Sequence, residues 1–222
     1  MDEVVDGVLQ ISLGYVNAYL VVTDDGLVLV DTGLPKTYPK LEQALTEAQR
    51  SVGEIRTVLL THWHTDHTGG LARVRSASGA RVVAHSVDAP VVDGSVPPPY
   101  TLMMRLGKPL TGEAQTAPVD EVLTADGPFS VPGFTAVHTP GHTLGHVSYL
   151  LDRAGGLLFA GDAAANLGGG VRLSPKPVTA DRDAAARSLQ KLAGLSFDVA
   201  VFGHGNPVRG NAVETFRSAA AG

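Results

Sequence analysis

The run Thr61-His62-Trp63-His64-Thr65-Asp66-His67 places three imidazoles and a carboxylate within six consecutive positions, 62–67. Such side chains pack poorly against an apolar core and hold metal well, so the stretch points to a fold that presents them to an ion. Residues at i and i+2 of an extended segment face the same way, which lets His62 and His64 reach one ion from one side of the backbone. Asp66 and His67 follow a half-turn later, and a bend at Thr68-Gly69-Gly70 turns that second pair toward a neighbouring ion. Imidazole nitrogen and carboxylate oxygen are donors that Zn²⁺ accepts, with bonds near ~2.0–2.2 Å. Surface histidines beside a tight turn are the competing reading, and it leaves the downstream donors without a role.

Those donors stand where an apolar run meets a turn. His142 follows the strand-like Phe134-Thr135-Ala136-Val137, Asp162 ends Leu157-Leu158-Phe159-Ala160-Gly161, and His204 ends Val199-Ala200-Val201-Phe202-Gly203. Loops at strand ends are how a rigid sheet aims functional groups into a shared cleft. A glycine precedes each of the three and frees the backbone to turn there.

This ordered set resembles the metallo-β-lactamase superfamily, from Val28-Leu29-Val30-Asp31-Thr32-Gly33 through His62, His64, Asp66 and His67 to His142, Asp162 and His204. The resemblance implies an α/β (α+β) fold, the four-layer αββα sandwich. It also implies a first metal held by His62, His64 and His142, a second held by Asp66, His67 and His204, and Asp162 bridging the two. The phrase Thr139-Pro140-Gly141-His142-Thr143-Leu144-Gly145-His146 is similar to the glyoxalase II-like branch of metallo-hydrolases. With no cysteine in the chain, it is unlike the β-lactamases that place a thiolate in the second site.

A chain of 222 residues with ordinary apolar and charged fractions suits a single domain over 1–222. A net charge of −5 offers no basic footprint for a phosphate backbone, so a small-molecule substrate is expected and nucleic acid is not. The acidic start Met1-Asp2-Glu3 carries no signal-peptide pattern, and no apolar stretch approaches ~20 residues, so no membrane partner is expected. Absence of cysteine fits a cytoplasmic location. The oligomeric state is not legible.

Short strands are expected over 8–11, 18–22, 27–30, 58–60, 81–84, 121–123, 134–138, 146–151, 157–160 and 199–202, with Asp24-Asp25-Gly26 as a hairpin turn. Leu41, Ala44, Leu45 and Ala48 after Pro39, and later Leu71, Val74 and Ala77, recur at helical spacing. Ala185, Leu189 and Leu192 mark a helix closed by Gly194, and Asn211 with Glu214 resembles a capping box that opens a last helix. The irregular segment 86–118 is expected to be a substrate lid with Tyr100, Met103 and Met104 as an apolar wall, against the plainer alternative of a short helix packed on the core.

Several residues stay outside the ligand set. His146 is assigned a supporting or structural role, while His85 and His138 read as isolated structural histidines. Asp31 either orients a ligand histidine or pins a turn. Trp63 is expected to pack beneath the metal loop, Gly168-Gly169-Gly170 to be a flexible connection, and Arg172 and Lys176 to be solvated.

Two cations in one cleft share a water and lower its pKa from ~15.7 toward ~7, giving a metal-bridging hydroxide as nucleophile. Asp66 is the candidate catalytic residue that orients that hydroxide or shuttles its proton. The leading reading is a dinuclear hydrolase of an ester-like bond (thioester, lactone or amide) with two Zn²⁺ per chain, iron or manganese being alternatives. Its rivals are a persulfide dioxygenase-like oxidoreductase, whose single iron would sit at His62, His142 and Asp162, and a non-catalytic metal-binding module. Glyoxalase II enzymes carry a further C-terminal helical region for glutathione, and acyl-homoserine lactonases a tyrosine between the bridging aspartate and the last histidine. This chain matches neither feature, so the substrate stays open.

Overall fold

A computed structural model describes residues 1–100, 102–168 and 170–221, and the side chains of all of these except 102–104, 107 and 108. The expected wall residues Met103 and Met104 therefore lie outside the described side chains. The chain forms two compact units, one of residues 1–84 and 89–122, the other of 85–88 and 123–222.

The first unit is built on seven strands that lie in sequence order: β1 (Asp2–Val5), β2 (Val8–Ser12), β3 (Asn17–Thr23), β4 (Gly26–Val30), β5 (Ile55–Leu59), β6 (Arg81–His85) and β7 (Glu121–Leu123). β1 to β4 form an antiparallel meander, and the expected Asp24-Asp25 turn joins β3 to β4 where Thr23 pairs with Gly26. β4, β5 and β6 are then parallel. A parallel step needs a crossover, which α1 (Tyr38–Glu47) and α3 (Leu71–Ser78) supply. The helical spacing read from the sequence is the buried face: Leu41, Ala44 and Leu45 on α1, Leu71 and Val74 on α3. They pack with Leu27, Leu29, Ile55 and Val58 into one apolar core.

The segment 86–118 contains two short helices, α4 (Ala89–Val92) and α5 (Leu102–Thr111). Ala89, Val92 and Ala117 belong to the core of this unit and Tyr100 packs against it. These residues follow the plainer expectation of core packing. Leu106 and Leu110 on α5 are 74% and 76% exposed.

The second unit carries a six-stranded sheet in the order β13-β12-β11-β10-β9-β8, with β8 (Gly127–Pro128), β9 (Phe134–His138), β10 (Val147–Leu151), β11 (Leu157–Phe159), β12 (Val199–Val201) and β13 (Val208–Arg209). β11 and β12 are parallel, bridged by α6 (Arg182–Ala193), whose first turn is capped by the Asp181 carboxylate accepting from Ala184 N–H at 2.9 Å. The last helix, α7 (Ala212–Ala221), starts where expected. Asn211 enters it in the left-handed region, at φ 54, not in the extended conformation of an N-cap. The strands β1, β8 and β13 have no counterpart in the expected element order, because two to four residues leave no readable period.

Phe216 on α7 is fully buried between Phe197 (5.2 Å between ring centroids, edge-on) and Phe202 (5.9 Å, stacked), just behind the end of β12. Replacing Phe216 by Ala is expected to cost about 3–5 kcal/mol of stability in chemical denaturation, since an aromatic side chain is lost from a closed core. A loss below about 1 kcal/mol, the range of surface substitutions, would contradict this packing.

Candidate metal centre

In the first unit the expected cluster lies directly after β5. His62, His64 and His67 are 1%, 7% and 0% exposed, and their rings are neighbours: centroids are 4.7 Å apart for His62 and His64 and 4.1 Å for His62 and His67. His64 is extended (φ −58, ψ 147), and a one-turn helix, α2 (Thr65–Thr68), follows at once. The bend that separates Asp66 and His67 from the first pair is thus this turn, before the glycines and not at them. Gly69 and Gly70 serve a different need. A Cβ on Gly69 would stand 2.2 Å from Pro35 Cδ, and one on Gly70 2.6 Å from the Thr32 carbonyl oxygen. Asp66 keeps part of its side chain in solvent, its Oδ2 4.0 Å from His67 Nε2. Trp63 is buried in the core beneath the loop, as expected, with its ring 4.4 Å from His64 and 5.6 Å from Tyr100. A cavity of about 180 Å³ beside them is lined by Trp63, Thr65, Val92, Val96, Tyr100 and Glu113, among others.

Asp31 turns out to orient the cluster. It is 2% exposed and left-handed at φ 59. Its Oδ1 accepts from Thr61 N–H at 2.9 Å, and its Oδ2 accepts from Thr61 Oγ1–H at 2.8 Å and lies 2.7 Å from His67 Nδ1. A carboxylate oxygen only accepts, so the His67 proton sits on Nδ1 and Nε2 is left with its lone pair. The Thr61 hydroxyl, having donated to Asp31, accepts from His62 Nδ1–H at 3.0 Å. His62 is therefore held in the same tautomer. One carboxylate prepares two imidazoles for an ion at Nε2. The loop is further tied by Thr32, whose N–H and Oγ1–H both donate to the His67 carbonyl, at 2.7 and 2.9 Å.

In the second unit His142, Asp162 and His204 come together although 20 and 42 positions separate them in sequence. Asp162 Oδ2 lies 3.3 Å from His142 Nε2 and 3.2 Å from His204 Nε2. β11 and β12 are paired at Phe159 and Val201, and Asp162 and His204 each stand three residues beyond. Glycine before the donors has two explanations. Gly141 (φ 144) and Gly161 (φ 53) are in conformations that suit glycine, and a Cβ on Gly141 would meet Ala185 N at 2.3 Å. The Gly141-His142 loop is strapped by Asp181 N–H and Ala180 N–H, which donate to the carbonyls of Gly141 and His142 at 2.9 and 3.1 Å.

Asp88 was not legible in the sequence. It is buried, and its carboxylate accepts from Thr143 Oγ1–H (2.7 Å) and Gly145 N–H (3.0 Å), pinning the far side of the same loop. His85 and His138 are not isolated, as expected, but stacked, with centroids 4.0 Å apart and planes 10° apart. Burial, and then the charge of His138, pull the His85 pKa from about 6.5 to about 4, with Asp126 opposing. Arg172 and Lys176 are exposed, as expected, and Gly169 lies outside the described residues.

All the donors are nitrogen and oxygen, borderline-hard and in part buried, which fits zinc and tolerates iron or manganese.

Comparison with known proteins places the chain in a family. The family model of the metallo-β-lactamase superfamily matches residues 11–204. The chain is 29% identical to the probable metallo-hydrolase YflN of Bacillus subtilis, covering 97% of this chain and 89% of that one. It is 32% identical to the thioesterase pkgB of Emericella nidulans over 86% of this chain, spanning 46% of that protein. Among solved structures, BJP-1, a subclass B3 metallo-β-lactamase of Bradyrhizobium japonicum, shares the fold at a TM-score of 0.76, with 22% identity over 99% of this chain and 90% of that one. The chain belongs to the metallo-β-lactamase superfamily and has its mixed α/β fold. Among the described residues, no helix is long and apolar enough to cross a membrane.

Two outcomes are expected here. Asp31→Asn keeps a residue that tolerates left-handed backbone but removes an acceptor-only carboxylate, so zinc affinity measured against a competing chelator should fall roughly 10–100-fold; unchanged affinity would refute the orienting role. Because His85 has a folded-state pKa below its unfolded one, the unfolded chain binds the extra proton between about 4 and 6.5. Its contribution to stability is complete above that window and is lost as pH falls through it. Denaturation of His85→Gln should show a correspondingly flatter decline from pH 6.5 to 4 than the unsubstituted protein, and parallel curves would exclude it.

Proposed function

We propose that this protein is a dinuclear metallo-hydrolase that cleaves an ester-like bond, a thioester foremost, in a small molecule. The observation that carries this reading is Asp162, whose single Oδ2 approaches Nε2 of both His142 and His204. An oxygen placed between two imidazole nitrogens is what a bridging carboxylate requires. In this reading His62, His64 and His142 hold one ion, Asp66, His67 and His204 hold the other, and Asp162 joins them.

When bound, a pair of zinc ions supplies an activated hydroxide and polarises the scissile carbonyl. The chain's own residues do the rest. Asp31 and Thr61 keep Nε2 of His62 and His67 available. Asp66, the part-exposed member of its cluster, accepts and returns the proton of the nucleophile from its Oδ atoms. Tyr100 lines the cavity beside this cluster and offers an apolar wall that suits an acyl group. The thioester preference is supported by the thioesterase relative and by the phrase at 139–146.

Metal analysis of protein purified without added metal, followed by a panel of thioesters, lactones, amides and phosphodiesters, tests the reading. Asp162→Ala is expected to lose at least one equivalent of metal and essentially all turnover. Retention of both would remove the bridging assignment. Oxygen uptake with a persulfide, and no hydrolysis of the panel, would overturn the hydrolase reading in favour of an iron oxygenase.

A further inference from the structure

His146 is fully buried four residues after His142 and makes bonds that point away from a ligand role. Its Nε2 accepts from the backbone N–H of Asp162 at 2.9 Å. Its Nδ1 lies 2.8 Å from Thr139 Oγ1, which lies 3.0 Å from Ser148 Oγ, which donates to the Ala160 carbonyl at 3.1 Å. The direction of this chain is fixed from both ends. The Ala160 carbonyl can only accept, so the Ser148 proton is spent there, the Thr139 proton goes to Ser148, and His146 Nδ1–H donates to Thr139. At the other end, an amide N–H needs a lone pair on Nε2. Both ends demand the same Nδ1–H tautomer.

We infer that His146 is a positioning residue that fixes the main chain of Asp162 through a neutral, Nδ1-protonated ring locked by Thr139 and Ser148. The other side of Asp162 is held by Ser174, whose Oγ–H donates to the Asp162 carbonyl at 2.8 Å. With its N–H and its C=O both pinned, Asp162 has little freedom to swing its carboxylate away from His142 and His204. The loop 139–146 therefore does two jobs at once, carrying His142 and registering Asp162 against it. This inference rests on the reading of Asp162 as a metal ligand.

The test uses the full chain and zinc ion as probe, with His146→Gln, His146→Phe and Asp162→Ala. Gln puts an acceptor oxygen where Nε2 sits, whereas Phe fills the space with none. Zinc affinity against a competing chelator, zinc stoichiometry at saturation and the melting temperature of the metal-free protein are measured for each. Long-range ¹H–¹⁵N correlation on the metal-free unsubstituted protein reads which ring nitrogen of His146 carries the proton. Expected are a proton on Nδ1, a roughly 10–100-fold loss of zinc affinity in His146→Phe at unchanged stoichiometry, and recovery of most of that affinity in His146→Gln. A proton on Nε2, equal affinities for the Gln and Phe variants, or a stoichiometry that drops by one in both overturns the proposal; the last outcome makes His146 a ligand. If His146→Phe does not fold, the tautomer and the Gln variant decide alone. Asp162→Ala separates the two readings: unaltered zinc binding there refutes the metal role of Asp162, whatever the His146 variants show.

Discussion

A single buried carboxylate, Asp31, follows directly on β4 and decides how the histidine-rich loop of the first unit is presented. Left-handed backbone costs an L-residue about 1–2 kcal/mol, and taking a carboxylate out of water costs more unless its oxygens find donors. Asp31 bears both costs. They are offset by donors that converge on it, Thr61 N–H, Thr61 Oγ1–H and His67 Nδ1–H, each hydrogen bond to a charged group contributing about 1.5–3 kcal/mol. An apolar residue at this position would avoid the cost of burying a charge, but it would tolerate the left-handed backbone less well and would leave His62 and His67 free to take either tautomer and either ring orientation. The strain is therefore tied to function in the sense that the observed outlier faces the candidate site.

The second unit solves the same problem without a carboxylate. There the orienting group is His146, and its acceptor is a threonine hydroxyl backed by a serine and a carbonyl. A neutral relay suits this position, because what is held is a backbone N–H next to an aspartate. A second buried negative charge beside Asp162 would raise the cost of ionising it. Asp88 is spent one step further out, on Thr143 and Gly145, where it shapes the loop without facing the donors. A Cβ on Gly145 would stand 2.4 Å from its Oδ1, so the glycine of this loop is needed for close approach to that carboxylate.

The longer strands and the candidate donors were legible because the donors cluster close after apolar runs, Asp162 and His204 directly behind the glycine that ends one, a pattern that survives without any knowledge of tertiary contacts. The supporting residues were not. Asp31 was visible as a candidate but ambiguous, since an aspartate after a strand pins turns as readily as it orients rings. Asp88 gave no signal at all: Ser86-Val87-Asp88 reads as an ordinary polar loop, and its partners lie 55 and 57 positions away. The stacking of His85 on His138 was missed for the same reason. The glycine pair after His67 was read as a turn, although close packing against Pro35 and Thr32 is what excludes a side chain there. Local pattern shows which residues carry chemistry; sequence-distant contacts decide how they are aimed.

In both units candidate donors emerge at the carboxyl ends of a parallel pair of strands, His142 excepted, which stands in the connection between antiparallel β9 and β10. In the first, Val30 pairs with Leu59 and Asp31 N–H donates to the Leu59 carbonyl at 3.0 Å, so Asp31 and Thr61 emerge side by side. In the second, Phe159 pairs with Val201, the ladder continues through Ala160 N–H to the Val201 carbonyl at 2.8 Å and Gly203 N–H to the Gly161 carbonyl at 3.0 Å, and Asp162 and His204 emerge together. An antiparallel pair would send one of the two chains away from the site. A parallel pair sends both toward it, which is the reason that ligands of open α/β sheets gather at carboxyl ends. The helical crossover that each parallel pair requires is then not incidental: α6, by carrying the Asp181 strap and the Ala185 backbone that excludes any side chain at Gly141, packs the crossover itself against the loop that holds His142.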